Sequence, residues 1–234
     1  MCVVSIAWDA HPRWQLVVAG NRDEFHAREA APLGAWANDP SIIAGRDLSS
    51  QGTWMGVSRH GRFGVVTNIR DPQGADPQKA SRGALVTDWL AQGQKPESLD
   101  SFNPFNLLIG DQHGLHYLSN RPSDFRQSLE TGIHGLSNVV NGERWPRKER
   151  LNLAVASWLD GAADDPMMLF GCLADTQSDH VDAYPIFIRN SVYGTRCSTI
   201  LAVKRDGAGS IIERRFDGEG ACMGETSATF HWSI

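Results

Sequence analysis

The sequence predicts an α+β fold of two mainly antiparallel sheets covered by helices, held in a single domain over residues 1–234. Two observations carry that reading. Short β-branched apolar runs occupy both ends of the chain, with helix-period stretches between them, an order of strands, helices and strands that suits layered sheets. The 23 glycines are spread along the chain, which implies many turns and therefore many strands. There is no internal repeat, low-complexity tract or linker, and 234 residues suffice for a sizeable core.

In order, Val3, Val4 and Ile6 within Met1–Trp8 form a strand that starts at the chain terminus. A turn at Asp9–Pro12 leads to a second strand over 14–19, making a hairpin that ends in Gly20-Asn21-Arg22-Asp23-Glu24. The stretch to residue 60 reads as loop-rich, with short strands at 42–47 and 53–58, followed by a strand over 62–69 that carries Asn68. A helix covers 81–92: Leu85 with Trp89, and Val86 with Leu90, share one face, and Gly93 stops it. A hairpin follows at 106–110 and 114–118, then a short strand over 132–138 that ends on Asn138. Pro146 opens a second helix to about Asp160, with Leu151, Val155, Trp158 and Leu159 as its apolar stripe, and a shorter helix follows Pro166. Strands return at 186–188, 195–203 and 210–216, and the tail from Gly218 reads as irregular.

Composition limits the function classes. A net charge of −5 without a basic cluster argues against nucleic acid, whose phosphates need a basic face. Cys2, Cys172, Cys197 and Cys222 have no C-x-x-C spacing, so neither a zinc knuckle nor a thioredoxin-like motif is present, and no metal is expected. Four cysteines in this length fit a reducing compartment better than a disulfide scaffold. The first apolar run lacks a basic lead and meets Asp9, and no run approaches the roughly 18 apolar residues of a membrane span. The expectation is a cytoplasmic protein acting on a small molecule.

The chemistry concentrates at Cys2. A free cysteine is ordinarily a small buried hydrophobe. Removal of Met1, however, gives Cys2 a free α-amine, and one residue then carries both nucleophile and base. An α-amine titrates at ~7.7–8.0 and a thiol at ~8.5, so the amine can take the thiol proton near neutral pH. A short hairpin returns the end of the second strand to the start of the first, which brings Arg22, Asp23 or Glu24 beside Cys2. Acyl transfer to sulfur also needs a cation near the thiolate and neutral donors for a tetrahedral oxyanion. Asn68 and Asn138, each preceded by a small hydroxyl residue at a strand end, offer the donors, and Arg196 is a further cation. With a cation beside it, Cys2 is expected to have a lowered pKa and to be the most reactive of the four thiols.

Met1-Cys2 together with Asn21-Arg22-Asp23-Glu24 resembles the NRDE family, also called the transport-and-Golgi-organisation type two family. The likeness extends through Gly64–Asn68, Gly135–Asn138, Trp145–Lys148 and Tyr193–Thr199, nearly the whole chain. It implies an N-terminal nucleophile hydrolase-like fold, an αββα sandwich, similar to amide-cleaving choloylglycine hydrolases and penicillin V acylases. Carried over, Cys2 is nucleophile and base, Asn68 and Asn138 hold the oxyanion and the amine, and Arg22 and Arg196 set the charge around the thiol. In the acylase group two residues separate the corresponding arginine and aspartate, whereas Arg22 and Asp23 are adjacent. Strand neighbours face opposite sides, so Arg22 and Asp23 cannot both point at Cys2 unless the strand has ended, and Glu24 shares the parity of Arg22. The carboxylate role stays open between Asp23 and Glu24.

Two functions follow. The first is a cysteine amidohydrolase acting on a small, partly apolar amide, with no cofactor required. The second, implied by the resemblance, is a non-catalytic carrier in haem trafficking or lipid and acyl-CoA metabolism, with haem as its ligand. No cysteine precedes a proline and no histidine pair has axial-ligand spacing, so haem would be held through apolar contacts.

Overall fold

The computed structural model describes residues 2–161, 163–178 and 184–233. The architecture is α+β, two antiparallel sheets with helices packed on them. The chain forms two compact units, each assembled from separate stretches.

The first unit comprises Met1–Ala27, Thr131–Leu136 and Arg144–Phe230. Its sheet contains β1 (Val3–Trp8), β2 (Trp14–Phe25), β10 (Gly132–Leu136), β11 (Tyr193–Lys204), β12 (Ala208–Phe216) and β13 (Cys222–His231), in the order β10-β1-β2-β11-β12-β13. The expected N-terminal hairpin forms and lies inside the sheet, and β1 is buried along its whole length. Such a strand is mostly apolar on both faces, which is why Val3, Val4 and Ile6 follow Cys2 with only the small Ser5 among them. Helix α2 (Pro146–Asp160) and helix α3 (Leu169–Leu173), the latter entered through a 3₁₀ turn at Pro166–Met168, cover one face. Val3, Ala7, Val17, Ala19, Ile200 and Ala202 of the sheet meet Leu151, Val155, Leu159, Phe170 and Leu173 there. Gly135 permits the approach, because a Cβ on it would lie 2.5 Å from Cγ of Lys148.

The second unit comprises Arg28–Glu130, Ser137–Glu143 and His231–Ile234. Its sheet holds β3 (Ala30–Trp36), β4 (Asp39–Asp47), β5 (Met55–Ser58), β6 (Arg62–Asn68), β7 (Phe105–Asp111), β8 (Gly114–Ser119) and β9 (Phe125–Leu129), in sequence order. Helix α1 (Arg82–Gln92) lays Leu85, Val86, Trp89 and Leu90 on it, against Ile42, Ala44, Val66, Leu107 and Ile109. Ser81 caps its start by accepting from the Gly83 N–H, and Gly93 ends it at φ +70° with its own N–H on the Trp89 carbonyl.

Several expectations are corrected. The tail is not irregular: residues 222–231 form β13. Its even positions turn inward but are mostly Gly, Thr and Ala, too small to register as an apolar alternation, and only Phe230 is buried, stacked over Gly209. Strand β3 lies in the stretch read as loop-rich, and β9 in a stretch to which no element was assigned. The expected strand at 186–188 is a bend instead, with the Phe187 N–H on the Asp175 carbonyl and the Ile188 N–H on the Thr195 hydroxyl. Strand β10 stops at Leu136, so Asn138 lies two residues past its end.

Candidate active site

The register of the first sheet sets the site. Val3 lies opposite Asn21, which lies opposite Ser198, so Cys2, Arg22 and Cys197 fall in one row across β1, β2 and β11. Strand β2 continues to Phe25, so the alternation of side chains runs through the whole Asn-Arg-Asp-Glu motif. Asn21 and Asp23 face the helices. Arg22 and Glu24 share the face of Cys2, with Arg22 Nη2 3.7 Å from Glu24 Oε2.

The two helix-facing residues are tightly held. Asn21 donates through Nδ2 to the carbonyls of Leu173 and Ile186, both at 2.8 Å, and accepts from the Ser198 hydroxyl at 2.6 Å. Asp23 receives the Thr195 hydroxyl on Oδ1 at 2.6 Å and the Arg147 guanidinium on Oδ2 at 2.6 Å. Arg147 is the largest fully buried side chain, and its Nη2 also donates to the Ile186 carbonyl at 2.6 Å.

Cys2 is half-buried just before β1, opposite Arg22 in the register and close to Asp23. Burial pushes the thiol above its ordinary value; the Asp23 carboxylate adds to that rise and Arg22 opposes it. This corrects the expectation of a lowered pKa, because withdrawal from water outweighs the neighbouring cation. Cys197 is fully buried and raised further by burial and by Glu213, with which it hydrogen-bonds. Cys172 is also raised by burial, and Cys222 lies exposed at the start of β13. Arg196, at an irregularity in the β2–β11 pairing, donates to the carbonyls of Phe25 (2.8 Å) and His26 (3.1 Å). Burial and the nearby Arg22 lower its pKa. Cys2, Arg22, Asp23, Glu24 and Arg196 are thus gathered at neighbouring strand ends of one unit.

The two asparagines meet in the other unit. Asn138 Nδ2 donates to the Asn68 carbonyl at 2.5 Å, and the Arg70 N–H returns to the Asn138 carbonyl at 3.2 Å. Thr67 and Asn106 both donate to the Ser137 carbonyl, at 2.5 and 2.9 Å, and Tyr117 donates to Asn106 at 2.5 Å. The Asn68 side chain is exposed. Asn138 is buried, and its Oδ1 has no hydrogen-bond partner among the described residues. That leaves an acceptor withdrawn from water, a costly state without a ligand or solvent molecule.

Sequence reasoning missed Arg147, Thr195, Cys197 and Glu213. Arg147 left a readable signal: with Leu151, Val155 and Leu159 it completes an i,i+4 series on the buried face of α2. A cation in an apolar stripe calls for a buried carboxylate. Among the described residues no cluster of three or more His, Cys, Asp or Glu side chains could hold a metal ion. Among them, too, no helix is long and apolar enough to cross a membrane.

The fold is of the N-terminal nucleophile hydrolase class, with a cysteine at the head of a central strand. A solved Caenorhabditis elegans ortholog of N-acylethanolamine-hydrolyzing acid amidase shares it, with a TM-score of 0.55 at 11% identity over 86% of this chain and 92% of that one. Within that class the chain belongs to the Transport and Golgi organisation 2 family, whose model matches residues 1–218. The human Transport and Golgi organization protein 2 homolog is 28% identical over 92% of each chain, and the Mus musculus homolog 27% over 92% of each.

Proposed function

We propose that the protein is a cysteine-dependent N-terminal nucleophile amidohydrolase that cleaves a small, partly apolar amide. The observation that carries this reading is Cys2 at the head of an interior strand, in one row with Arg22. Once Met1 is removed, the Cys2 amine takes the thiol proton and the sulfur bonds to the amide carbon. The C–N bond then breaks, the nitrogen leaves with the proton held by the amine, and a thioester remains. Water, deprotonated by the same amine, adds to the thioester; the acid is released and the thiol regains its proton. Arg22 supplies positive charge beside the sulfur. All four cysteines are free thiols, which suits a reducing, cytoplasmic setting.

Intact-mass measurement of the purified protein is the first test, and loss of Met1 is expected. Turnover is then assayed across a panel of N-acyl amides, with Cys2→Ser expected to fold and to lose it. Retention of Met1, or a wild type inert on the whole panel, sinks the enzyme reading. Haem or acyl-CoA binding that survives Cys2→Ser in such an inert protein would put the carrier reading in its place.

A further inference from the structure

The buried pair between Arg147 and Asp23 contains the largest fully buried side chain of the protein, yet it faces away from the nucleophile. Both side chains are nearly excluded from solvent, with relative exposures of 1% and 0%. Replacing such a pair by apolar residues is often neutral, so stability alone gives little reason to keep it. Its location offers another. Asp23 follows Arg22, the residue opposite Cys2, and its charge bears on the thiol, while its carboxylate is fixed from behind by Arg147 and by the Thr195 hydroxyl. Arg147 is itself anchored on the Ile186 carbonyl, the same oxygen that receives Asn21. A cation on α2 therefore fixes the β2 residue next to the one that lies opposite the thiol.

We infer that Arg147 is a positioning residue for the Cys2 nucleophile, acting through Asp23: it neutralises the Asp23 carboxylate and holds that end of β2 beside the sulfur. The inference rests on Cys2 being the reacting group of the proposed hydrolase. Without the guanidinium, a buried negative charge stands beside the thiol and opposes thiolate formation. The other charged groups around Cys2 and its row are the terminal α-amine, Arg22 and Glu24 on β2, Arg196 on β11 and Glu213 on β12, with Lys148 of α2 lying against β10. None of these is altered by a change at residue 147.

The test is the pH dependence of Cys2 modification by a small methanethiosulfonate, read by peptide mass spectrometry on the protein as purified. Turnover is not needed for this readout. Arg147→Met should move the midpoint upward by about one unit, which slows labelling about tenfold at any pH below it. Arg147→Lys keeps the cation and should recover most of that loss. Asp23→Asn/Arg147→Met removes both charges and should return the midpoint to within about half a unit of wild type. A folded Arg147→Met variant with an unshifted midpoint overturns the inference. If that variant does not fold, the double variant decides, and a midpoint displaced by more than one unit overturns it. An upward shift in a protein without amidase turnover upholds Arg147 as the positioning group and places the failure in the hydrolase reading. Turnover with an unshifted midpoint does the reverse.

Discussion

At the scale of single residues, the Asn-Arg-Asp-Glu motif is two devices interleaved. Asn21 and Asp23 tie β2 to the helical layer, while Arg22 and Glu24 lie on the thiol's face. The substitutions Asp23→Ala and Glu24→Ala should therefore differ in kind. Asp23→Ala leaves Arg147 as an uncompensated buried cation and should cost about 3–5 kcal/mol, read as a lower urea midpoint. Glu24→Ala loses a 3.7 Å contact with Arg22 and the bond from the Phe25 N–H without leaving a fully buried charge behind, and should lower the same midpoint by less. The raised thiols make a second, pH-dependent prediction. Cys197 binds its proton more tightly in the folded protein than in the unfolded chain, so its contribution is complete below the ordinary thiol value of 9.0. Stability is then lost as pH rises above that value, because only the unfolded state ionises readily. Denaturant titrations from neutral pH to pH ~10 should show this decline, and Cys197→Val should flatten it. An equal slope in the variant would assign the decline to other groups.

At the scale of elements, two close approaches hold α2 and the last strand in place. Gly135→Ala would set a methyl group against Lys148 and Asn152, pushing α2 off β10. Because α2 carries Arg147, that change should lower both the melting temperature and Cys2 labelling. Gly209→Ala meets the Phe230 ring at 2.3 Å, in contact distance of an aromatic side chain that cannot bend away. It should release β13, seen as faster amide exchange over 222–231 with β1 and β2 still protected. Ser81→Ala, by contrast, removes only a cap from α1 and should cost about 1 kcal/mol with labelling of Cys2 unchanged.

At the scale of the whole molecule, the enzyme reading depends on a free Cys2 amine. An added residue between Met1 and Cys2 should therefore abolish turnover while leaving the circular dichroism spectrum and the melting temperature near those of wild type. Such a variant remaining fully active would show that the base is another group. The nucleophile with its charged neighbours is built on β1, β2 and β11 of one unit, and the two asparagines on β6 and the segment after β10 in the other.

The sequence alone was enough for the central strands, both long helices and the position of Cys2, because each has a strong local cause. Strand β1 is rich in β-branched residues, α1 has a stripe with caps at both ends, and α2 starts at a proline. The unread strands β3, β9 and β13 all lie at sheet edges, where a strand is half solvated and need not alternate apolar with polar residues. Parity along β2 was legible too, and it separated Arg22 and Glu24 from Asp23; whether the strand continued far enough for parity to apply was decided by its pairing with β11. The partner of Asp23 was decided the same way, since Arg147 lies 124 positions further along and only the packing of α2 on the sheet brings them together. The thiol's pKa turned on tertiary structure most of all. Residue types put a cation beside Cys2, but the sign of the shift depends on how much water the fold leaves around the sulfur, and burial outweighs Arg22.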